Sequence, residues 1–356
     1  MKVLVFSKTD SIGPSSRYRF YRPQEALARA GCAVEIRPLF TRSWFRLRLL
    51  RPAAPALFFK APYVLWRCLL RLFALRRVRA ADLVVIEHQL FPYLPFALER
   101  WLLPRRTPWI LEFDDAIYLT RFHGRKLARL MACATRVVVG NRTLAEHARR
   151  FQPAVEVVPT SLDLDRFPDP RSCALQEDGR EGPLRVGWIG LPSNLEALEL
   201  VEVPLRKLHR SAPLLLCVLS SGPVPEFDLP VEAVEWSEEI EVDWLVGLDV
   251  GIMPLPDSPW SRGKCALKAL QYFAAGVPVV AAPFGVNTEI IDPGRNGYLA
   301  RDEQEWFAAL LQLARDPALR RRVGLAGRET VEAGFALRRL TDRIATLWMK
   351  TARGAS

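Results

Sequence analysis

Short continuous apolar runs alternate with longer amphipathic stretches along most of this 356-residue chain. The runs are rich in Val, Ile and Leu and are typical of strands buried on both faces of a parallel sheet. They lie at 2–7, 33–39, 82–87, 108–113, 136–140, 155–158, 184–190, 213–218, 232–236, 248–254 and 278–282. Helix-like patterns fall between them, at 18–30, 62–78, 124–133, 142–150, 194–209, 264–275, 303–314, 317–333 and 336–351. This alternation predicts an α/β chain with doubly wound parallel sheets.

The alternation pauses once, at residues 165–183, where the chain is polar and rich in Pro and Gly. Such a composition is typical of a connection between domains. We therefore predict a Rossmann-like first domain over 1–168, a linker over 169–183 and a Rossmann-like second domain over 184–335. Ligands of open parallel sheets bind at the carboxyl ends of the strands. The active site is accordingly expected in a cleft where the strand ends of the two domains face each other.

The composition excludes several classes of protein. Half of the residues are apolar and 25% are charged, which excludes a disordered or fibrous chain. The six cysteines form no C-x-x-C pair and the four histidines lack metal-ligand spacing, so free thiols in a reducing compartment are expected. Lys8 and Asp10 come too early for a secretory signal, and no uncharged stretch approaches the roughly 20 residues of a spanning helix. We expect a cytoplasmic protein, free or bound to the membrane from that side.

The largest group of candidate functional residues lies in segment 248–291, where a predicted strand is followed by a loop and by a helix predicted to begin near Gly263. The free N–H groups of a helix start attract anions. Three cations stand beside this helix start: Arg262, Lys264 and Lys268. A second helix is predicted to begin with a capping-type sequence that contains Asn287 and Glu289. A phosphate-bearing ligand held at two helix starts would explain this layout, and an ordinary crossover with surface lysines is the alternative.

Two further loops follow predicted strands. The loop after the first strand combines backbone donors with positive charge, although a surface loop with incidental arginines has the same composition. Its candidate residues are Gly13, Arg17 and Arg19. The strand at 184–190 ends at Gly190, and Ser193 and Asn194 are expected to cap the helix that follows.

Carboxylates gather where the strand at 108–113 ends. Asp114 and Asp115 follow this buried strand directly, and carboxylates at such a place are costly unless they are used or paired. They are interpreted either as substrate-binding groups or as caps of the next helix. His88 follows the neighbouring predicted strand and is a further candidate for substrate contact.

The net charge of +11 is concentrated in one segment of the chain. Between Glu35 and Asp82 there are eleven basic residues and no acidic one, so this interval accounts for the whole excess. Its stretch 62–79 combines arginines with Leu, Trp and Phe, a composition suited to the interface of an anionic membrane. The residues assigned to that surface are Trp66, Arg67, Arg71, Arg76 and Arg77. A nucleic-acid partner is disfavoured by this apolar content, and a core helix with snorkelling arginines is the remaining alternative.

The motif A-A-G-V-P-V-V-A-x-P-x-G-V-N-x-E-I-I at 274–291 resembles the nucleotide-sugar-binding segment of GT-B-fold glycosyltransferases. The likeness is greatest to the retaining family 4, the glycosyl transferases group 1. Residues 155–167 resemble that family's interdomain element, and 80–87 followed by 108–115 resemble its central strands. Residues 336–348 resemble its last helix, so a helix at 336–352 is expected to pack back onto the first domain. The resemblance implies two Rossmann-like domains facing across a cleft.

The resemblance also implies roles for the candidate residues. Most family members carry Glu-x7-Glu before the motif, where this chain has Gly263 and Gln271. Donor binding is assigned to Gly13, Arg17, Gly190, Ser193, Asn194, Arg262, Gly263, Lys268, Gln271, Asn287 and Glu289. Catalysis is assigned to Asp114, Asp115 and Lys264, and acceptor-side contacts to His88 and Arg19. Lys264 would neutralise the departing diphosphate, and Asp114 stands where many members have a histidine.

We therefore expect a retaining glycosyltransferase that moves a sugar from a nucleotide-diphosphate donor to a lipid-linked or cell-envelope glycan acceptor at an anionic membrane. No cofactor, metal or nucleic acid is expected. Glu112-x-Asp114 and Asp163-x-Asp165 have the spacing of the metal-binding D-x-D of GT-A enzymes, but two Rossmann-like halves argue against that fold. A nucleotide-sugar epimerase and a catalytically silent nucleotide-binding scaffold are the alternatives.

Overall fold

The computed structural model describes residues 1–49, 54–92, 94–121, 123–172 and 182–354. Most of the linker predicted at 169–183 lies outside these residues. The chain divides into two compact units. The first consists of Met1–Ser161 together with Leu337–Ser356, and the second consists of Leu162–Ala336.

Each unit is built on a six-stranded sheet in which every described pair of strands is parallel. The first sheet has the order β2-β1-β3-β4-β5-β6. Its strands are β1 Lys2–Phe6, β2 Ala33–Ile36, β3 Leu83–Glu87, β4 Trp109–Phe113, β5 Arg136–Val139 and β6 Val155–Val157. The second has the order β12-β11-β10-β7-β8-β9. Its strands are β7 Leu184–Ile189, β8 Leu214–Ser220, β9 Val231–Glu235, β10 Val250–Met253, β11 Val279–Ala281 and β12 Tyr298–Leu299.

Helices connect the strands, which confirms the predicted doubly wound α/β class. The α-helices of the described residues are α1 Pro14–Ser16, α2 Gln24–Arg29, α3 Arg42–Leu49, α4 Ala54–Ala74, α5 Phe96–Glu99, α6 Gly124–Cys133, α7 Arg142–Arg149, α8 Glu202–Ser211, α9 Glu241–Val246, α10 Pro259–Arg262, α11 Leu267–Ala274, α12 Asn287–Ile290, α13 Glu303–Arg315, α14 Pro317–Gly334 and α15 Leu337–Ala352. A π-helical turn spans Arg17–Tyr21, and 3₁₀ helices span Leu75–Ala80, Ile117–Leu119, Leu164–Arg166 and Pro192–Val201.

The direction of winding reverses once in each sheet, between β1 and β3 and between β7 and β10. Loops diverge at such a point and leave a crevice beside the carboxyl ends of the strands, where ligands of open parallel sheets bind. The strands around it are buried on both faces because helices cover both sides of the sheet. In the first unit, Trp348 of α15 packs with Val3 and Val5 of β1 in the core.

Helix α4 is anchored by a buried arginine. The guanidinium of Arg71 donates to the carbonyl oxygens of Ser7, of Arg37 at 2.8 Å and of Leu90 at 3.3 Å. These carbonyls follow β1, β2 and β3 respectively. Burial lowers the pKa of Arg71 to about 9, although attraction to Glu87 opposes this shift. The arginine therefore ties one side of α4 to the edge of the sheet where three strands end.

The assignment of Arg67 and Arg71 to a membrane-facing surface is consequently wrong. Arg67 also points inward and donates to the carbonyl oxygens of residues 38 and 39, both at 2.7 Å. The exposed side of α4 is instead apolar. We call the following six residues the apolar face: Leu65, Trp66, Leu69, Leu70, Leu72 and Phe73. A group of exposed apolar side chains along one side of a helix marks an interaction surface.

The remaining arginines of this stretch lie beyond the end of α4. The guanidinium of Arg76 lies 5.1 Å from the ring centre of Phe73, and Arg77 forms an ion pair of 2.9 Å with Glu35. Both side chains are exposed. Within the described ranges, no helix is both long enough and apolar enough to cross a bilayer.

The glycine of the A-A-G-V-P motif lies in a tight contact between helices of the second unit. Gly276 has a φ of +71°, a value that favours glycine, and it follows the end of α11. Its carbonyl oxygen abuts Gly324 of α14 so closely that a Cβ at position 324 would lie 1.9 Å from it. The close packing of α11 against α14 therefore depends on both glycines, because the backbone of Gly276 occupies the space that a side chain at position 324 would fill.

We predict that Gly324→Ala destabilises the protein by about 1–3 kcal/mol, because the added methyl group forces α14 away from α11. Gly334→Ala, at the end of the same helix, is the matched control, since a Cβ there meets no atom within 4 Å. Urea denaturation monitored by tryptophan fluorescence measures both variants. Equal midpoints for the two variants would contradict the proposed contact.

Candidate active site

The loop after β1 closes over a buried carboxylate, Glu87, at the end of β3. Glu87 Oε2 accepts hydrogen bonds from Ser16 Oγ at 2.6 Å and from the backbone N–H of Lys8 at 2.7 Å. Gly13 permits this closure, since a Cβ there would lie 2.0 Å from Oγ1 of Thr9. Sequence reasoning missed Glu87. The available signal was an acidic residue that ends an apolar strand, as Glu112 does.

The π-helical turn directs both predicted loop arginines into the first unit, where they are buried. Arg19 donates from Nε to Glu112 Oε1 at 2.6 Å and from Nη1 to the carbonyl oxygen of Val158 at 2.6 Å. Burial raises the pKa of Glu112, and the charge of Arg19 opposes that shift. Arg19 is thus engaged with protein groups. The Nη1 atom of Arg17 lies 3.5 Å from the carbonyl oxygens of residues 11 and 12.

His88 and Asp114 lie together at the ends of β3 and β4. His88 has a φ of +62°, an unusual conformation for a non-glycine residue, and its N–H donates to the carbonyl oxygen of Glu112 at 2.8 Å. This turn leaves the imidazole buried with Nε2 3.9 Å from Oδ1 of Asp114. Among the described residues, Nε2 has no hydrogen-bond partner.

Asp114 is held in its ionised form by this environment. Burial alone would raise the pKa of Asp114, but His88, Arg19 and Ser15 together lower it below its usual value. Asp115 follows directly. Its backbone carbonyl oxygen accepts a hydrogen bond from the N–H of Ile117 at 2.8 Å. Residue 116 is the N-cap of that 3₁₀ turn, and no side chain caps it.

The helix expected near Gly263 begins later. Helix α10 ends at Arg262 with Gly263 as its C-cap, and α11 begins at Leu267 after Ala266, which has a φ of +55°. The prediction that Gly263 lies at a helix start is therefore wrong. Arg262 is exposed and forms an ion pair of 2.6 Å with Asp257.

Lys268, in the first turn of α11, is the most distinctive cation of the second unit. Its Nζ lies 4.0 Å from the ring centre of Trp188, and a Cβ at Gly190 would lie 3.0 Å from it. No carboxylate within the described ranges forms an ion pair with it. Burial and repulsion from Lys264 lower the pKa of Lys268 to about 7. The ammonium of Lys264 itself lies 5.8 Å from the ring centre of Trp260.

The other predicted donor-binding residues lie in different settings. Gln271 is buried within α11. Asn287 is buried at the first residue of α12 and donates from Nδ2 to the carbonyl oxygen of Ala282 at 2.9 Å, while its Oδ1 has no partner among the described residues. Glu289 is exposed.

The expected caps also differ from the structure. The N-cap of α12 is Val286, which offers no side-chain cap. Ser193 and Asn194 do not cap a helix either, because the 3₁₀ helix already begins at Pro192 after an N-cap at Leu191. Ser193 and Asn194 therefore lie within the first turn of this 3₁₀ helix and do not precede it.

The two D-x-D-like pairs are engaged in local structure. Glu112 forms the ion pair with Arg19, and Asp163 accepts the N–H of Asp165 at 3.3 Å at the start of a 3₁₀ helix. In the part of the chain that the structure describes, no three His, Cys, Asp or Glu side chains gather as metal ligands.

Solved structures with this architecture are glycosyltransferases of the GT-B fold. HepE of Anabaena, solved with UDP-glucose, superposes with a TM-score of 0.72 at 13% identity, covering 98% of this chain and 100% of that one. A glycosyltransferase from Rickettsia africae has a TM-score of 0.71 at 15% identity, covering 100% and 99%. A sucrose-phosphate synthase from Thermosynechococcus elongatus has a TM-score of 0.67 at 16% identity, covering 98% of each chain.

Sequence comparison agrees with the structural one. The chain is 29% identical to the D-inositol 3-phosphate glycosyltransferase of Corynebacterium jeikeium over an alignment that covers 48% of this chain and 46% of that protein. The alignment thus spans less than half the length of this relative. The family model of the glycosyl transferases group 1 matches residues 188–316, which include the loop before α11 and the A-A-G-V-P motif. The second unit therefore carries a glycosyl transferases group 1 domain, in a chain that has the GT-B fold.

Proposed function

We propose that this chain is a retaining, metal-independent glycosyltransferase that transfers a sugar from a nucleotide-diphosphate sugar to a membrane-associated acceptor, lipid-linked or a cell-envelope glycan. The nucleotide sugar is a co-substrate, and no cofactor takes part. The observation that carries the proposal is Lys268, a partly buried amine beside the bare backbone of Gly190 within the matched domain. Retention rests on the resemblance of the motif at 274–291 to the retaining family 4.

The donor site proposed for the second unit is organised around a cation without a fixed counter-ion. Because a diphosphate near Lys268 raises the pKa of its amine, binding of the donor restores the positive charge that burial removes. Lys264 adds a second cation where negative charge develops on the departing diphosphate. The buried Oδ1 of Asn287 is available to accept a hydrogen bond from the donor. HepE, which has the same fold, has been solved with UDP-glucose, and this supports a nucleotide sugar as the ligand.

The acceptor-side groups proposed for the first unit are His88 and Asp114. Asp114 is ionised and His88 presents a buried Nε2 that no described protein group occupies. A hydrogen bond from an acceptor or sugar hydroxyl satisfies this nitrogen, which can take up the proton that the hydroxyl loses. Arg19 is a positioning residue in this proposal because it neutralises Glu112 and leaves Asp114 to interact with His88.

Peripheral attachment to an anionic membrane is proposed through the apolar face of α4. Its Leu, Trp and Phe side chains would enter the interfacial region of a bilayer. Arg76 and Arg79, exposed at the carboxyl end of the helix, would meet the anionic headgroups. This arrangement brings the proposed enzyme to a membrane-associated acceptor without a spanning helix.

We predict that purified protein incubated with a panel of labelled nucleotide-diphosphate sugars and membrane extract forms a labelled, organic-extractable product. Without the extract, turnover should fall to slow hydrolysis. Mass spectrometry of the donor distinguishes the alternatives, because an epimerase converts the donor to its isomer without an acceptor and a silent scaffold leaves it unchanged.

Two variants test the residue roles in that assay. Asp114→Asn should lower turnover about 100-fold while the affinity for the donor is unchanged, since this carboxylate acts on the acceptor side. Lys264→Ala should lower both turnover and donor affinity. Undiminished transfer in both variants would contradict the assigned site.

We predict that donor affinity depends on pH through Lys268. Below about pH 7 the amine is protonated in the free protein, so affinity is highest there, and Kd should rise by up to about tenfold per pH unit above pH 7. Lys268→Arg should bind with little pH dependence, because arginine remains charged. Calorimetry between pH 6 and 8.5 with UDP-glucose and GDP-mannose measures this dependence. Lys207→Gln, a change at an exposed lysine of the same unit, should retain the wild-type profile.

We predict that Leu65→Ser/Leu69→Ser weakens binding to phosphatidylglycerol vesicles at least about tenfold, because two leucines no longer enter the bilayer. Leu200→Ser/Ile240→Ser is the matched control, since it removes two comparably exposed aliphatic side chains from the second unit. Vesicle flotation measures both. Equal losses in the two double variants would contradict attachment through the apolar face.

A further inference from the structure

A basic pocket lies at the edge of the first sheet opposite to the candidate site. It has a volume of about 420 Å³ and is open to solvent where β4 and β5 begin. Pro108 and Trp109 line it from the start of β4, and Cys133 and Thr135 line it from the connection into β5. This volume is within the range of small-ligand sites.

Three arginines line this pocket, and none of the described residues that line it is acidic. They are Arg105, Arg106 and Arg353. Arg105 lies over the ring of Trp101, at 5.0 Å from its centre, and none of the three forms an ion pair with a described residue. The acidic residues at this edge of the sheet are engaged elsewhere. Asp82 accepts the N–H of Lys2 at 2.7 Å, and Glu156 forms an ion pair of 3.3 Å with Arg136.

A hydrogen bond joins the lining of the pocket to the 3₁₀ helix Leu75–Ala80 that follows α4. Thr107, which lines the pocket, donates from Oγ1 to the carbonyl oxygen of Val78, just beyond the end of α4. Trp101, stacked beneath Arg105, is the most exposed large apolar side chain among the described residues of the first unit, at 68%. An exposed tryptophan beside cations is typical of a surface at the level of lipid headgroups.

We propose that this pocket binds the phosphate of an anionic lipid headgroup. Guanidinium groups match phosphate oxygens in bidentate geometry, and three of them around one cavity without a competing carboxylate select for such a group. The pocket would hold a headgroup while the apolar face of α4 and Trp101 enter the interface beside it. This inference rests on the membrane attachment proposed above and not on the glycosyl transfer, because the pocket lies where β4 and β5 begin, whereas Asp114 follows the opposite end of β4.

Vesicle flotation of the full chain tests the proposal with Arg106→Gln/Arg353→Gln. Since each basic residue near an anionic surface contributes about 1 kcal/mol, partitioning onto phosphatidylglycerol vesicles should fall about fivefold per arginine and about 25-fold for the pair. Arg321→Gln/Arg322→Gln removes the same charge from two exposed residues of α14 and should change partitioning less than threefold. Both double variants should bind UDP-glucose as the wild type does. Equal losses in the two variants would attribute the effect to net charge and overturn the proposal.

A second measurement reports on the pocket itself through the exposed thiol of Cys133. Peptide mapping after brief alkylation should reveal slower modification of Cys133 with phosphatidylglycerol vesicles than with phosphatidylcholine vesicles. Inorganic phosphate and glycerol phosphate at millimolar concentration are the soluble comparisons. Slowing by these ions without any slowing by vesicles would assign the pocket to a free phosphate compound and overturn the lipid assignment. Loss of vesicle binding with donor turnover retained would refute the attachment and leave the transferase proposal standing.

Discussion

The buried guanidinium of Arg71 is the interaction on which the arrangement of the first unit depends. It bonds to carbonyl oxygens that follow three different strands, so it fixes the relative positions of the loops that carry the candidate site. The same bonds fix the rotation of α4 about its axis. Since Arg71 and Arg67 must face the protein to satisfy their donors, the leucines and aromatic residues of the opposite side must face outward. One buried charge thus accounts both for an ordered site and for an exposed apolar face.

Each carboxylate near that site has a different role, because each contacts different groups. Glu87 accepts hydrogen bonds that close the loop after β1, and Glu112 is neutralised by Arg19. Asp114 remains ionised beside an imidazole whose Nε2 has no hydrogen bond within the described residues. Three neighbouring acids in one buried region would repel each other strongly if all were bare. The arrangement leaves the negative charge of Asp114 beside His88.

The continuous apolar runs predicted the strands well because helices cover both faces of these sheets. Strands that are buried on both faces consist almost entirely of apolar residues, so they stand out in the sequence. The start of α11 was misplaced because it depends on a left-handed Ala266, and alanine carries no signal for that conformation. Periodicity also separated the two sides of α4 without indicating which side is covered. Arginines and leucines are both compatible with either environment, and only the carbonyls that Arg71 meets decide the question.

The segment with the excess positive charge is therefore different from the basic surface of the folded unit. Within it, Arg67 and Arg71 bond to backbone carbonyls and Arg77 pairs with Glu35, so these three basic residues add little to a basic surface. Arginines distant in the chain, at 105, 106 and 353, supply unpaired charge at the far edge of the same sheet. The charge of a linear segment does not by itself predict the electrostatic field at the protein surface. That field depends on which guanidinium groups the fold leaves without a partner. An anionic membrane would meet the second set together with Arg76, Arg79 and the apolar face of α4, whereas Arg67 and Arg71 hold that helix in place.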